Sequence, residues 1–580
     1  MKVLLTAINA KYIHSNLAVY SLRAYAARYR DETAIAEYTI NQEIDGILVD
    51  IYRQKPDILC FSCYLWNIIY VRQLIIEIHK ILPGVHIWLG GPEVSYNAPE
   101  MLRQFPQIQG IMRGEGEETF LDLLKYFHGE IEKIEDIDGI TFRDSQNRIV
   151  ENTDRPVLDL SKVPFVYEHI EDFENKILYY ETSRGCPFSC SYCLSSIDKC
   201  LRFRSMDLVK AELQFFIDHE VPQVKFVDRT FNCRHDHAME IWTYLAEHDR
   251  GITNFHFEIA ADLINEKELK LLNSLRPGLV QLEIGVQSTN QDTIREIHRI
   301  MDFGMVEKVV NKVASTGNIH QHLDLIAGLP FENYESFKNS FNDVYGLHPE
   351  QLQLGFLKVL KGSRMHENTE NYDLKYQDRP PFEVLSTKWL SYAEIVRLKK
   401  IEDMVEVHYN SGQFVNTMKL LESDFADSFT MYEALADYYE KNNLHQVNHS
   451  RIARYEILYQ FVCGINPQKK EQYRQMLTLD LYLRENVKNR PWFAGEPTVE
   501  RKEESMFYER EAEEHQYLKD YAQYDKRSMR KMTHMEKING RIMLFDYKNR
   551  SRLTNEAKVY FVGTKDETDT LQKEDKKYRM

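Results

Sequence analysis

From residue 176 to about 365 the chain switches repeatedly between two hydrophobic periods. "KILYYET" (176–182) reads as a buried strand, and Gly185 permits a sharp turn out of it. Helical patterns follow in "DLVKAELQFFIDH", "HAMEIWTYLAEH", "EKELKLLNSLR", "QDTIREIHR" and "YESFKNSFNDVYGL". Between them lie the strand-like runs "QVKFVD", "NFHFEIA", "LVQLEIGVQ", "HQHLDLIAGLP" and "QLQLGFLKVL". Six strands alternating with helices predict a parallel α/β sheet or partial barrel, in which ligands bind at the C-terminal strand ends.

The first 150 residues follow the same logic on a smaller scale. "KVLLTAI", "AIAEYTI", "DILCFSCYLW", "VHIWLGG" and "IQGIMRGEGE" predict five strands, with helices such as "NLAVYSLRAYAARY" and "IIYVRQLIIEIHKIL" between them. This is the pattern of a doubly wound domain. The polar or glycine-rich turns "NAKYIHSN", "SCYLWN", "GGPEVS" and "RGEGEE" fall on one rim. There Gly90 and Gly91 allow close backbone approach of a large ligand.

Residues 151–175 hold Pro156 and Pro164 without a sustained period and predict a linker. Beyond residue 370 apolar positions recur at three and four, predicting packed amphipathic helices to about Arg530. "GRIMLFDY" and "AKVYFVG" predict a closing two-strand hairpin, and the polar 564–580 a disordered tail. The expected domains are therefore 1–150, a linker at 151–175, a core at 176–370, a mostly helical region at 371–563, and the tail.

Composition narrows the partners. The net charge of −16 argues against a general nucleic-acid scaffold, though not against a local basic groove. No apolar run is long enough to span a bilayer, and no signal-peptide cleavage pattern follows the first residues, so a cytoplasmic location is expected. Eight cysteines in 580 residues do not form a disulfide framework, so clustered ones point to metal or redox chemistry.

Three of them, Cys186, Cys190 and Cys193, share the loop "RGCPFSCSYCL". Three thiolates can hold an iron–sulfur cluster and leave one iron open to a small molecule. The competing reading is a structural zinc site with Cys200 as fourth ligand, although the second pair of a zinc ribbon is missing. Cys60 and Cys63 lie within a predicted strand on opposite faces and read as buried structural residues. Cys463 reads as core, and Cys233, with His235 and His237, as a helix start after Asn232 as N-cap.

The spacing C-x-x-x-C-x-x-C, with Tyr192 before the last cysteine, resembles that of the radical S-adenosylmethionine (SAM) enzymes. "RFRS" (202–205) matches a stretch common after the cluster loop of that family. The resemblance implies a [4Fe–4S] cluster on the three cysteines. "FVDRTFN" resembles the segment near the methionine end of SAM, with Asp228, although the frequent Gly-Gly-Glu is replaced by Val-Asp-Arg. "LEIGVQS" resembles the ribose motif, through Glu283 at the strand end and Gln287, and "DLIAGLP" the adenine-side motif, through Ile326 and Gly328. In this family an electron donor such as flavodoxin or ferredoxin reduces the cluster. SAM then breaks to methionine and a 5′-deoxyadenosyl radical that takes hydrogen from a substrate.

A five-strand domain with "LGGPEVS" and "RGEGEETF" ahead of the cysteine motif resembles the cobalamin-binding branch of these enzymes. That implies a Rossmann-like cobalamin domain, a radical SAM partial (β/α)6 barrel, and a helical C-terminal domain like an uncharacterised one appended to some such proteins. The implied cobalamin contacts are Ser62, Gly90, Gly91, Pro92, Gly114, Glu115 and Gly116. The Asp-x-His-x-x-Gly motif is absent, so cobalamin without an axial histidine is expected and His14 reads as an ordinary loop residue.

Three functions follow. The first is methylation of an unactivated carbon in an unknown small-molecule or peptide substrate. The second is a radical rearrangement, cyclisation or oxidation without methyl transfer. The third is a non-enzymatic cluster or corrinoid sensor. Methylthiotransferases resemble part of the chain but carry further cluster cysteines in the N-terminal domain, where only Cys60 and Cys63 occur here.

Overall fold

The structure, a computed structural model, describes residues 1–551 and 553–563. The expected tail at 564–580 lies outside the described residues. By compactness the chain divides into one unit of Met1–Asp343 with Leu354–Val396, and a second of Val344–Gln353 with the described residues from Arg397 on.

The first unit opens with a seven-stranded sheet. Its strands are β1 (Val3–Asn9), β2 (Thr33–Thr39), β3 (Ile58–Ser62), β4 (His86–Gly90), β5 (Ile108–Met112), β6 (Ile140–Arg143) and β7 (Ile149–Glu151). They lie in the order β2-β1-β3-β4-β5-β6-β7, the first five parallel and the last two antiparallel. The five expected strands are present. The β6–β7 hairpin is an addition, too short for its period to register, and turned by Asp144 accepting from the backbone N–H groups of Gln146 and Arg148. Helices cover both faces. Leu4, Ile8, Leu59 and Ile87 bury one side, and Leu5, Cys60, Trp88 and Phe120 the other. Burial on both faces is why these strands read as continuous apolar runs.

A second sheet follows. Its strands are β8 (Leu178–Tyr180), β11 (Gln223–Phe226), β12 (Asn254–Ile259), β13 (Val280–Gln287), β14 (His320–Ala327) and β15 (Gln351–Phe356). They lie in the order β15-β14-β13-β12-β11-β8. Between β8 and β11 stands a separate antiparallel pair, β9 (Ser183–Arg184) and β10 (Arg202–Phe203). The strands of this partial barrel alternate. Phe255, Phe257, Leu282 and Ile284 are buried toward the helices, while His256, Glu258, Gln281 and Glu283 share the other, inner face. A two-strand hairpin, β16 (Lys375–Tyr376) with β17 (Val384–Ser386), completes this unit.

The second unit is helical, with helices at Val415–Glu422, Ser428–Lys441, Arg451–Ile465, Lys470–Arg484 and Arg501–Glu514. Buried Asp480 accepts from the backbone N–H groups of Asn416 (3.0 Å) and Thr417 (2.9 Å), fastening the start of the Val415–Glu422 helix to the Lys470–Arg484 helix. Its sheet has three strands, β18 (Thr533–Ile538), β19 (Arg541–Arg550) and β20 (Ala557–Val562), where a two-strand hairpin was expected. Charged and polar side chains interrupt "THMEKI" and mask its period.

Candidate functional site

The cysteine loop leaves β9 and returns through β10, so a two-residue ladder closes it. Inside the loop the Cys186 N–H donates to the Asp198 carbonyl at 3.0 Å and the Cys193 N–H to the Cys190 carbonyl at 3.2 Å. Cys186 and Cys190 are buried and Cys193 partly so, whereas Cys200 is exposed. Burial pushes the Cys186 thiol up, with Cys193 and Cys190 adding like-charge repulsion. Among the described residues the three sulfurs do not form a group tight enough for one ion; the only such group is Glu283, His322 and Asp324.

Asp228 sits under the entry to this loop, fully buried. It accepts from the Thr182 N–H (2.9 Å) and from the Thr182 and Ser183 hydroxyls (both 2.6 Å). Burial raises its pKa to about 6 despite these bonds. Its oxygens are occupied by the chain's own donors, so its role in this structure is to fix the strand-to-loop turn. Cys233, His235 and His237 form no metal group: His235 pairs with Glu268 and His237 faces the Thr182 hydroxyl. The expected N-cap is also corrected. Arg234 holds that position, and Asn232 instead bridges to the backbone of Ala260.

Glu283 lies mid-strand rather than at the strand end. Lys225 Nζ donates to its Oε2 at 2.9 Å, and His256 Nε2 stands 3.0 Å from the same oxygen. The His256 nitrogen is off the hydrogen-bond axis, so the Lys225 bond is the better formed of the two. Burial opposes ionisation of Glu283, but His256 and Lys225 outweigh it and hold its pKa at about 2. With an ammonium already on Glu283, the Glu283–His322–Asp324 group carries its own counter-cation. Neighbouring Glu258 goes the other way, pushed up to about 7 by burial and by Glu283.

At the true end of β13, Gln287 adopts φ +75° and its Oε1 is buried without a partner. Beside it lies Arg299, which sequence reasoning passed over. Its guanidinium is partly buried, donates to the Gly285 carbonyl and to Tyr192 Oη (3.4 Å), and reaches Cys190 Sγ at 3.8 Å. Its Nε has no partner, so a partly buried cation with donor capacity to spare stands next to a cluster cysteine. Nothing in "EIHRI" distinguishes it from a surface arginine. Ile326 is the last residue but one of β14, and Gly328 has φ +92°, where a Cβ would meet Val384 Cγ1 at 2.8 Å. The turn after it is pinned by Glu332, which accepts from Ser288 Oγ (2.6 Å) and Ser340 Oγ (2.8 Å).

The four rim loops of the first sheet divide into two pairs. The loop after β1 is stitched to the barrel's first strand. The Ile177 N–H donates to the Ile13 carbonyl (2.8 Å), the Tyr179 hydroxyl bonds His14 Nδ1 (2.6 Å), and Lys176 pairs with buried Glu37 (2.6 Å). His14 is thus engaged across the domain boundary. The loop after β5 grips the cysteine hairpin: Glu115 takes Arg202 and the Leu158 N–H, and Glu117 takes Arg184 at 2.8 Å. Both glutamates point at the barrel, while Gly114 has φ +67° and open space around it.

The loops after β3 and β4 remain. Trp66 is 44% exposed, stacks on Tyr64 at 4.5 Å and donates its indole N–H to the Ile8 carbonyl. Gly91 has φ +109°, and a Cβ there would lie 2.5 Å from the Cys63 carbonyl. Tyr96 of this loop packs on Gly362, where a Cβ would lie 2.6 Å from its Cγ, and the Met365 N–H that follows donates to the Ser191 carbonyl of the cysteine loop at 2.9 Å. An aromatic platform and a glycine turn therefore stand beside the cysteine loop. Cys60 and Cys63 are buried in separate cores, as opposite faces require.

Three family models match in succession: "B12 binding domain" over residues 3–124, "Radical SAM superfamily" over 180–344, and "Protein of unknown function (DUF4080)" over 370–561. The chain carries a radical SAM superfamily domain. This radical SAM protein carries a B12-binding domain ahead of the barrel and a DUF4080 domain behind it. It is similar to the cobalamin-dependent radical SAM methyltransferase TokK of Streptomyces tokunonensis, 26% identical over 62% of this chain and 56% of TokK. It is also similar to the anaerobic magnesium-protoporphyrin IX monomethyl ester cyclase of Rubrivivax gelatinosus, 22% identical over 56% of this chain and 60% of the cyclase. The chain spans about half the length of the first curated relatives it matches. Its fold resembles that of OxsB, solved with aqua-cobalamin and SAM, at TM-score 0.56 and 15% identity over 90% of this chain and 80% of OxsB. Among the described residues no helix is long and apolar enough to cross a membrane.

Proposed function

We propose that this radical SAM protein is a cobalamin-dependent methyltransferase that acts on an unactivated carbon. The observation that carries the reading is the pair of rim loops after β3 and β4 of the B12-binding domain, where Trp66 stacks on Tyr64 and Tyr96 packs on Gly362, three residues before Met365, whose N–H donates to the Ser191 carbonyl of the three-thiol loop. When bound, the cluster and SAM would supply one-electron cleavage of SAM, and cobalamin a carrier for the methyl group.

The chain's own residues suit these groups. Cys186, Cys190 and Cys193 would hold the cluster and leave one iron open. The partly buried Arg299 guanidinium would meet the SAM carboxylate, since a cation withdrawn from water needs an anion. Gln287 offers its unpartnered amide oxygen to ribose, and Glu283 holds the inner face beside it. Ile326 and Gly328 would flank adenine, with Tyr192 bonded to Arg299 behind the cluster loop. On the other side, Ser62, Gly90, Gly91 and Pro92 would line the corrin edge and Trp66 its face. With the Asp-x-His-x-x-Gly motif absent, His14 would not serve as axial ligand.

Resemblance to the cyclase keeps a second reading, radical chemistry without methyl transfer. Anaerobic reconstitution with iron, sulfide, hydroxocobalamin and SAM, followed by product analysis, separates the two. S-adenosylhomocysteine together with 5′-deoxyadenosine is expected. 5′-Deoxyadenosine alone would favour the second reading, and a protein that binds the cofactors but cleaves no SAM would favour a sensor.

A further inference from the structure

The ladder that closes the cysteine loop is an odd one. Its register sets Arg184 directly opposite Arg202, so two guanidinium groups share one face of a two-residue antiparallel pair. Like charges in that position push the strands apart. The ladder is otherwise minimal: Arg184–Arg202 and Ser183–Phe203 are its only pairs. Something else must hold it closed.

The carboxylates that do so come from three places. Glu181 accepts from Arg184 Nη2 (2.8 Å) and Nε (3.1 Å), and Asp198 accepts from Arg202 at 3.2 Å. The other two belong to the preceding domain. Glu117, buried at the start of the helix Glu117–Phe127, receives Arg184 Nη2 at 2.8 Å. Glu115 receives Arg202 and stands 3.5 Å from Arg184, touching both arginines. Its other oxygen accepts the Leu158 N–H at 2.8 Å, which anchors it to the linker. Burial works against ionisation of Glu117, and the Arg184 charge outweighs it.

We infer that Glu115 and Glu117 of the B12-binding domain are positioning residues that lock the cysteine hairpin shut, so that retention of the cluster is set by the neighbouring domain. This rests on the reading of Cys186, Cys190 and Cys193 as cluster ligands. Neither glutamate touches the cysteines. They act through Arg184, two residues before Cys186, and Arg202, two residues after Cys200. With the clamp released, the loop ends separate and the cluster becomes open to chelator and oxygen.

The test uses the full chain, reconstituted anaerobically. Wild-type protein must first show about four irons per chain and the spectrum of a [4Fe–4S] cluster; if it does not, the cluster reading fails and this inference with it. Given a loaded wild type, iron release to ferrozine is timed for Glu115→Gln/Glu117→Gln, for Glu117→Asp and for Cys200→Ala. The double variant is expected to lose iron roughly tenfold faster, since several charge-assisted bonds are weakened together. Hydroxocobalamin uptake is measured on the same samples, because Glu115 is also an implied corrin contact. Glu117→Asp should restore most of the retention, and Cys200→Ala should match wild type. If the double variant does not fold, as judged by circular dichroism, Arg202→Lys carries the test with the same expected direction. Iron release at the wild-type rate from a folded clamp variant overturns the inference, and so does release that quickens only in proportion to lost cobalamin.

Discussion

Single residues divide into those that hold cofactors and those that hold the chain. Replacing Cys186, Cys190 or Cys193 by Ala should abolish the cluster absorbance after reconstitution, whereas Cys200→Ala should retain it, because Cys200 is exposed and outside the buried thiol group. Glu283 looked like a strand-end ligand, and the structure gives it internal work as the counter-charge of Lys225. Glu283→Gln removes the bonded anion of Lys225, leaving only Glu258 at 3.9 Å, and should cost roughly 1–3 kcal/mol in denaturant unfolding at neutral pH. The sign follows from its depressed pKa. The contribution is complete above the ordinary carboxyl value and fades as pH falls toward about 2, so wild-type and variant midpoints should converge on acidification. A gap that widens toward low pH would contradict the pairing. Arg299 could not have been found in the sequence, because its significance is its position beside Cys190 and not its neighbours in the chain.

At the scale of elements, turns carry the function and the helices and strands set their places. Gly91 occupies a conformation that L side chains rarely adopt, and a Cβ there would press on the Cys63 carbonyl. Gly114 also has positive φ but open surroundings. Gly91→Ala should therefore lower the melting temperature more than Gly114→Ala, by an amount equivalent to about 1–3 kcal/mol, and should weaken hydroxocobalamin uptake. Equal melting temperatures would show that the turn relaxes freely. The loops after β13 and β14 are joined by Glu332, whose pKa burial raises to about 7. A carboxyl with a raised folded pKa binds protons more readily when folded, so its contribution falls as pH climbs from about 4.5 through 7. Glu332→Gln should remove that slope from the melting temperature between pH 5 and 8. The elements themselves were largely legible, because periods of 2 and 3.6 are local properties. The strands missed, β6, β7, β9, β10, β16, β17 and β18, are short or interrupted by polar side chains.

For the whole molecule, the B12-binding domain and the barrel lie in one compact unit, with contacts that include Glu37–Lys176 and His14–Tyr179 at one place and Glu117–Arg184 and Glu115–Arg202 at another. Full-length protein should bind about one equivalent of hydroxocobalamin. His14→Ala should leave the bound spectrum unchanged, because the chain lacks the Asp-x-His-x-x-Gly motif, while lowering the unfolding midpoint through loss of the bond to the Tyr179 hydroxyl. A shifted spectrum would identify His14 as a ligand after all. The sequence by itself determined the order of domains, the alternation of strands and helices, the identity of the three clustered thiols and the rim on which the loops lie. All of these depend on spacing along the chain, which the covalent backbone and the two hydrophobic periods fix. Only the tertiary structure decided how the loops are used. It turned Glu115 and Glu117 toward the barrel, drew His14 to Tyr179, set Glu283 against Lys225, and brought Arg299 to Cys190. Each of these pairs joins residues 58 or more positions apart. Their meeting depends on how domains and strands pack, and local sequence patterns carry no record of that.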